Sequence, residues 1–391
     1  MKEIINKTIS EKLDELFAIS RFLYENPELG GEEYKAEKIL SKYLEEQGFI
    51  VEHAIYDINT AFRATYDSGK DGPTIAFLCE YDALPQIGHA CGHNLIATIS
   101  IGAAIGLKSV LDKIGGRIVL LGTPAEETSG AKATMVDRGA FDGITVAMMA
   151  HPNAITEESG TSLALNALKF QFFGKTAHAA AFPEKGINAL DAVILLFNGI
   201  NALRQHLTSD VRIHGIITAG GDAPNIVPDY AEAKFYIRAA EKENLIEVVA
   251  KVKECAFGAE KMTGAKVKIT KFENSYDNLS TNKTLSSLFN ANLLAVGEDN
   301  IKPASNGIGS IDMGNVSQVV PAIHPWIGMG DPELIIHSKE FAEYTMTKSG
   351  QNTLYKGACA LAMTAYDVIT SKESQDSINK EFMSTLKTDE A

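Results

Sequence analysis

The pattern of apolar and polar positions changes twice along the chain. Apolar residues first recur at helical spacing, through 8–29 and again through 32–49. Three short, continuous apolar runs follow at 74–82, 117–127 and 144–152, and an apolar helical segment separates the first two. Strands that are apolar on both faces and alternate with helices indicate an α/β domain with a mostly parallel sheet.

A different pattern occupies residues 165–275. Its segments read, in order, as strand, helix, strand, strand, helix and strand. This β-α-β-β-α-β order is typical of a ferredoxin-like sandwich. Patterns of the first kind resume afterwards, so we predict one domain built from 1–164 and 276–391 that carries the 165–275 unit as an insert. The polar tail after the last apolar helix is expected to fray.

Charge and composition exclude several classes of protein. The formal net charge of −14 disfavours binding to nucleic acid or to anionic membranes. No run of eighteen or more apolar residues is present, and the first residues lack the apolar run of a signal peptide. The 4 cysteines are too sparse in 391 residues for a disulfide framework. We therefore expect a soluble, cytoplasmic protein.

Reactive side chains lie at the carboxyl end of each apolar run. They are, in chain order, Glu80 and Asp82, the histidines and cysteine of the loop GHACGHN at 88–94, Glu126 and Glu127, and His151. Ligands of open parallel sheets bind outside the carboxyl ends of the strands. These side chains are therefore expected to meet at one edge of the sheet.

The types of side chain at this edge point to a metal site. Thiolate, imidazole and carboxylate together suit zinc, and a catalytic zinc keeps one position open for water. Adjacent glutamates can divide the work, because one can bind metal while the other is a general base. Two other interpretations stay open: Cys91 as a nucleophile with a histidine base, and Glu126 and Glu127 as a solvated helix start. Cys79, next to Leu78 in the first run, is expected to lie in the core.

Six motifs resemble those of one enzyme family. They are GHACGHN (88–94), GTPAEE (122–127), AMMAHP (147–152), GKTAHAA (174–180), NIVPD (225–229) and IIHSKEF (335–341). In this order they resemble the di-zinc amidohydrolase and exopeptidase family (metallopeptidase family twenty), which includes carboxypeptidase G, aminoacylases, hippurate hydrolase and indole-acetyl-amino-acid hydrolases. The cysteine-containing signature is similar to the amidohydrolase subfamily. The chain looks closest to the branch that holds p-aminobenzoyl-glutamate hydrolase and HmrA-type proteins.

The resemblance implies a site with two divalent metal ions per chain, zinc by preference, with manganese or cobalt as alternatives. The implied ligands are Cys91, His93, Glu127, His151 and His337. Cys91 would bridge the metals as a thiolate, in the place of a bridging carboxylate. His93 and Glu127 would bind one metal, and His151 and His337 the other.

Two more residues would act beside the metals. Glu126 would be the general base, and Asp82 would hold a metal ligand in its orientation. Two positions depart from the family's pattern. Asn94 stands where the subfamily commonly has aspartate, which leaves the surroundings of His93 open. Glu80 stands where the carboxypeptidase branch has histidine, so the ligand set of that branch does not transfer whole.

The resemblance also gives the insert a role as a lid and dimerisation domain. His178 would reach the active site of a partner subunit and stabilise the oxyanion there. Asn225 would help to bind the substrate or its carboxylate, and Arg238 is a further candidate for substrate binding. His324 competes with His337 for the last ligand position. We favour His337 because IIHSKEF matches the family's terminal motif, which makes His324 structural or substrate-lining.

The implied reaction is hydrolysis of the amide or peptide bond of a small N-acyl amino acid or dipeptide. The implied partners are a small-molecule substrate and a second copy of the chain, in a homodimer or a higher homo-oligomer. Two alternatives remain. The chain could be an inactive member that binds ligand or metal, or a hydrolase with a cysteine nucleophile.

Overall fold

The computed structural model describes residues 1–305, 307 and 309–388, and its contacts divide the chain into two compact units. One unit joins Met1–Ser162 to the chain from Leu279 onward, and the other is Leu163–Asn278. The second unit is thus an insert in the first. Each unit has its own apolar core.

The first unit is a layered α/β structure. Its helices are α1 (Lys2–Glu25), α2 (Tyr34–Glu46), α3 (His93–Ile114), α4 (Ala131–Asp137), α7 (Lys283–Ala295), α8 (Met313–Ser317), α9 (Lys339–Thr345), α10 (Lys348–Thr370) and α11 (Lys372–Thr388). Its strands are β1 (Ile50–His53), β2 (Phe62–Asp67), β3 (Thr74–Cys79), β4 (Arg117–Gly122), β5 (Val146–Met148), β6 (His151–Asn153), β11 (Ala322–Ile323) and β12 (Trp326–Gly328).

Six of these strands form the central sheet, in the order β1-β2-β4-β3-β5-β11. The four strands from β4 to β11 are parallel, whereas β1 and β2 are antiparallel to their neighbours. The predicted mostly parallel sheet is confirmed. The parallel strands begin on one side of the sheet, so their carboxyl ends share one edge. A separate parallel pair, β6 with β12, places His151 opposite Trp326.

Helix α3 forms the centre of the apolar core. It packs between α1 and α10, and glycines permit the close approach. A Cβ at Gly102 would lie 2.9 Å from Cβ of Ala358, and one at Gly106 would lie 2.6 Å from Cδ1 of Ile9. The helix is long and apolar enough to cross a membrane, but 89% of the stretch that meets this test is buried in the protein. It is therefore the core helix of this unit.

The insert has the predicted order of elements. These are β7 (Ala164–Phe173), α5 (Ala189–Leu203), β8 (Arg212–Ala219), β9 (Tyr230–Ala239), α6 (Lys242–Thr263) and β10 (Lys266–Lys271). The strands form one antiparallel sheet in the order β10-β7-β9-β8. Buried residues alternate along β9, and they pack under both helices. The predicted ferredoxin-like fold is confirmed, as a unit of 163–278 where the sequence patterns place 165–275.

Three details differ from the sequence-based predictions. The runs 117–127 and 144–152 contain shorter strands, because buried loop residues continue each run past the strand's end. The β1–β2 hairpin was not predicted. The C-terminal tail is not frayed through its described length but forms α11, which buries Ile378 and uses Glu381 to accept hydrogen bonds from the first N–H groups of α7.

Candidate metal centre

The loop that carries Cys91 and His93 depends on the glycine between them. Gly92 has a left-handed φ of 83° and is the residue before α3. A Cβ at this position would lie 2.5 Å from Cγ of Pro152, so glycine is required for two reasons. The turn brings Cys91 and His93 to the edge where β3 ends. The predicted loop-to-helix transition is therefore placed at His93 itself.

Three overlapping groups of ligand-type side chains lie at this edge. The groups are Cys91 with His93 and His151, Cys91 with Glu127 and His337, and His93 with Glu126 and Glu127. Within each group the ligand atoms all lie within 4.8 Å of one another. Cys91 is common to the first two groups, as a bridging ligand would be.

Two of the buried histidines, His93 and His151, are oriented through their Nδ1 atoms. Nδ1 of His93 lies 3.0 Å from Oδ1 of Asp82, and Nδ1 of His151 lies 2.8 Å from the carbonyl oxygen of Pro152. With the proton on Nδ1, the neutral form of each ring presents the lone pair of Nε2 to a cation. Nε2 of His151 lies 3.4 Å from Sγ of Cys91. Nε2 of His93 is buried and has no hydrogen-bond partner.

Glu127 and His337 complete the second group. Oε1 of Glu127 is buried and lies 3.1 Å from Nε2 of His337, with which it forms an ion pair. The N–H of Glu127 donates to Oδ2 of Asp82 at 3.0 Å. His337 has a left-handed φ of 67°, and its N–H donates to the carbonyl oxygen of Ala90. Asp82 therefore contacts His93, from the group that contains His151, and Glu127, from the group that contains His337.

These donor atoms fit a metal-binding site. Two buried ligand-type atoms of these groups, Nε2 of His93 and Oε1 of Glu127, form no hydrogen bond, which is costly unless a cation satisfies them. Sulfur, imidazole nitrogen and carboxylate oxygen are the ligand types of zinc. Of the two expected pairs of ligands, His93 and Glu127 share a group. His151 and His337 share no group, and each joins Cys91 separately.

Burial dominates the electrostatics of the centre. It raises the pKa of the Cys91 thiol well above the usual range, and it lowers the pKa of His151 to about 3, with His324 adding to that effect. His151 is thus a neutral imidazole, the form that binds metal. A cysteine nucleophile needs a thiolate. A buried thiol with a raised pKa fits that alternative poorly and fits a ligand that loses its proton to a cation.

Glu126 has the electrostatic character of a general base. Burial raises its pKa well above the usual range for a carboxyl, and the carboxylates of Glu80, Asp312 and Glu127 add to the effect. A base that takes a proton from water and returns it to an amine works best with a pKa near the operating pH. Glu126 belongs to one of the three groups but not to either group that contains Cys91.

A cavity of about 680 Å³ adjoins the centre. His324, Trp326 and His337 line it, together with Glu157 and Glu158. The ring of His324 is buried, 5.5 Å from the ring of His151 and 5.1 Å from that of Trp326 between centroids. It belongs to none of the three ligand groups. The geometry therefore makes His324 a cavity wall and brings His337 to the cluster.

The remaining candidates near the loop have other partners. Asn94 is buried, and its amide donates to the hydroxyls of Ser20 and Thr345, so it joins α3 to α1 and α9. These two bonds tie Asn94 to neighbouring helices and not to the His93 ring. Glu80 forms a buried ion pair with Lys132, at 2.5 Å, and one of its oxygens lies 3.5 Å from Nε2 of His93. Sequence patterns did not identify Lys132, because a lysine at a helix start usually faces solvent.

Three predicted residues belong to the insert. His178 is exposed, and its Nδ1 accepts hydrogen bonds from the N–H groups of Ala180 and Ala181 at 3.3 and 3.2 Å. This leaves the proton on Nε2, as a donor. The carbonyl oxygen of Asn225 accepts from the N–H of Ala179, so the His178 and Asn225 segments are adjacent. Arg238 lies on β9, half-buried, with its guanidinium 5.8 Å from the centre of the Tyr236 ring.

Known proteins similar to this chain share this architecture. Residues 164–257 match the peptidase dimerisation domain family. The Xaa-Arg dipeptidase of Mus musculus is 38% identical, over 98% of this chain and 93% of its own. One of the subunits of p-aminobenzoyl-glutamate hydrolase from Escherichia coli is 36% identical, over 67% of this chain and 58% of its own.

A solved structure shows the same fold at lower identity. A Bacillus subtilis protein, described as a dinuclear metal binding peptidase from the M20 family, superposes with a TM-score of 0.64 at 18% identity. The match covers 91% of this chain and 99% of the other. The family resemblance predicted from the six motifs is confirmed. With a full-length relative at 38% identity, the chain belongs to the M20 family of metallopeptidases and amidohydrolases.

Proposed function

We propose that this hydrolase cleaves the peptide bond of dipeptides whose C-terminal residue is basic, with two zinc ions bound at the Cys91 cluster. Its relatives are hydrolases that act on small acyl amino acids or dipeptides, and its family is metal-dependent. The observation that carries the proposal is the pair of ligand groups that share Cys91. These groups contain buried atoms without a hydrogen bond, and their donor atoms are sulfur, nitrogen and oxygen, which favours zinc.

The ligand groups define what each side chain would contribute. Cys91, His93 and His151 would hold one ion, and Cys91, Glu127 and His337 the other. Bound divalent ions would polarise the carbonyl and lower the pKa of the attacking water. Asp82 keeps His93 and the Glu127 backbone in place from one carboxylate. Both of its oxygens are used, so the two groups are positioned together.

Glu126 would move the proton. Its raised pKa suits a carboxylate that accepts a proton from water and then gives it to the departing amine. His178 would supply a donor from Nε2 to the oxyanion, because backbone N–H groups occupy its Nδ1. No covalent intermediate is required.

The cavity favours a cationic substrate group. Glu157 and Glu158 line it and are partly exposed, and no lysine or arginine is among its described lining residues. A carboxylate pair beside the centre attracts a guanidinium or ammonium group and repels an acidic one. The relatives at 38% and 37% identity are named Xaa-Arg dipeptidases, which supports the same substrate class.

The assembly we propose is a homodimer formed through the insert. The outer strand β8 has an unpaired edge, and Ile216 and Ile217 on it are 65% and 44% exposed. Pairing of two such edges would satisfy the backbone groups and give a two-fold interface. We also propose a cytoplasmic location, which the four free cysteines support.

A substrate panel tests the proposed function. Matched dipeptides with arginine, lysine, leucine or glutamate at the C-terminus, and N-acetyl-arginine, are incubated with the zinc-loaded protein. We expect the highest kcat/KM for the basic dipeptides, loss of turnover with a chelator, and no turnover by Glu126→Gln. Glu157→Gln combined with Glu158→Gln should reduce the preference for arginine over leucine. Equal rates on acidic and basic dipeptides would contradict the substrate class.

A further inference from the structure

Glu33 is a buried carboxylate that none of the roles above uses. It has no solvent-exposed surface, and it directly precedes α2. Its Oε2 accepts a hydrogen bond from the hydroxyl of Thr60 at 2.8 Å, and its Oε1 accepts one from the N–H of Ala125, also at 2.8 Å. Taking a carboxylate out of water is costly, and these two bonds offset part of that cost. The second bond leads to the centre, because Ala125 precedes Glu126.

Ala125 has a backbone conformation that needs support. Its φ is 58°, in the left-handed region, which is unfavourable for a residue other than glycine. Such strain persists where the surroundings determine it from several sides. Besides the bond from Glu33, Gly30 packs so closely that a Cβ there would lie 3.0 Å from Cα of Ala125. The segment before α2 therefore fixes this turn.

The turn is anchored on both sides of Glu126. On one side the N–H of Ala125 is held by Glu33, and on the other the N–H of Glu127 is held by Asp82 at 3.0 Å. The two anchors come from different segments of the chain, since Asp82 follows β3 and Glu33 precedes α2. Asp82 also holds His93, so it serves the metal ligands. The bond from Glu33 reaches only the residue before the base.

We propose that Glu33 is a positioning residue for the general base: it holds Ala125 in the left-handed turn and thereby fixes the direction of the Glu126 carboxylate. The inference rests on the proposed function. What matters in it is the reach of the Glu33 oxygen to one backbone N–H, and not the negative charge. Reach and charge can be separated by substitution.

Two conservative variants make this separation. Glu33→Gln keeps the length of the side chain and an oxygen that can accept from Ala125, but it removes the charge. Glu33→Asp keeps the charge but is one methylene too short to reach. We expect Glu33→Gln to retain a kcat within threefold of the unaltered enzyme. Glu33→Asp should lose about 100-fold in kcat, as misplaced catalytic groups do, with little change in KM and in metal content.

Glu28→Ala is the matched control. Glu28 lies in the same segment, but its carboxylate caps α2 by accepting from the N–H groups of Lys35 and Ala36 rather than from the turn at Ala125. It should lower stability without lowering kcat. Equal losses of kcat in Glu33→Asp and Glu28→Ala would overturn the proposal. So would an inactive Glu33→Gln, an active Glu33→Asp, or a loss of bound metal that accounts for the loss of turnover.

Hydrogen exchange gives a readout that needs no turnover. In the metal-loaded protein, exchange of a peptide covering 123–130 should quicken in Glu33→Asp and stay slow in Glu33→Gln, while exchange in β4 is unchanged. Unchanged exchange in Glu33→Asp would contradict the anchor directly. If the unaltered protein hydrolyses no dipeptide, the proposed function fails, but this experiment still decides whether Glu33 holds the turn.

Discussion

The sulfur of Cys91 lies 3.4 Å from Nε2 of His151, and both atoms are buried. Each of these side chains belongs to a ligand group, and Cys91 is common to the group that holds His151 and the group that holds His337. A cysteine in this position acts as a metal bridge or as a nucleophile. The two roles predict different behaviour when the sulfur is replaced by oxygen.

We predict that Cys91→Ser lowers both metal content and turnover, because an alcohol is a poor bridging anion. Cys91→Asp should recover part of each, since a carboxylate can bridge two ions. Elemental analysis and kcat measured on the same preparations check this. A thiol nucleophile predicts no recovery, so measurable activity of Cys91→Asp would exclude that mechanism. An inactive, metal-poor Cys91→Asp would count against bridging.

Glu126→Gln should keep both metal ions and lose turnover. The amide has the same shape but cannot accept a proton from water, and general bases contribute about 100- to 10,000-fold in rate. Metal analysis matters in this test, because Glu126 lies in one group with His93 and Glu127. Retention of more than a tenth of the unaltered kcat would show that Glu126 is not the base. Loss of metal would make it a ligand.

His337 and His324 can be distinguished by metal content. His337→Ala should lower the metal stoichiometry, because its Nε2 shares a group with Cys91 and Glu127. His324→Ala should leave the stoichiometry unchanged and raise KM, because the ring lines the cavity. Elemental analysis of the two variants after identical loading gives the comparison. The reverse pattern would transfer the ligand role to His324.

The sequence predicted the fold where the apolar pattern of a single segment was enough to identify it as a helix or a strand. Strands buried on both faces gave unbroken apolar runs, and the insert's alternation gave its element order. The β1 strand was missed because its residues are mostly exposed, with Ile50 at 76%, and so carry no alternating pattern.

In the candidate site, too, only residues that belong to a local motif were predicted. Motif residues such as Cys91, His93 and Glu127 were identified because their types and spacing signal metal chemistry. Glu33 and Lys132 were missed because each acts through a distant partner. Ala125 is 92 positions from Glu33, and Lys132 is 180 positions from Asp312. No local pattern shows which glutamate or lysine will be buried by such a contact.

The buried ion pairs of Lys132 should be essential for stability. Lys132 lies 2.5 Å from Glu80 and 2.6 Å from Asp312, and all three side chains are buried. Lys132→Met removes the cation that two buried carboxylates share, which costs about 3–5 kcal/mol. Chemical unfolding of the metal-free proteins measures this. Lys356→Met is the control, because its pair with Glu298 is partly exposed and should cost about 1 kcal/mol or less.

The deficit of Lys132→Met should depend on pH. Burial raises the pKa of Asp312 to about 6. The charge of Lys132 lowers this pKa, and the charge of Glu80 raises it. A raised carboxyl pKa means that the folded state binds more protons, so this contribution to stability is lost as pH rises through the folded pKa. Without Lys132 that pKa rises further. The difference in unfolding free energy between the variant and the unaltered protein should therefore shrink as pH falls toward about 6, because Asp312 of the variant takes up its proton before that of the unaltered protein does. A difference that grows in acid would contradict this assignment.

The last prediction is that His178 serves the metal centre of a partner subunit. His178 belongs to the unit that matches the peptidase dimerisation domain, and backbone N–H groups at Nδ1 leave its Nε2 proton available for an oxyanion.

Glu126→Gln and His178→Ala should each be inactive alone. If His178 acts across the interface, a mixed dimer holds one site with an intact Glu126 and an intact His178 from the partner. Activity should then return on mixing, up to one competent site per mixed dimer. Native mass spectrometry establishes that the subunits exchange, and mixing Glu126→Gln with itself is the control. Exchange without recovered activity would show that His178 does not act in trans.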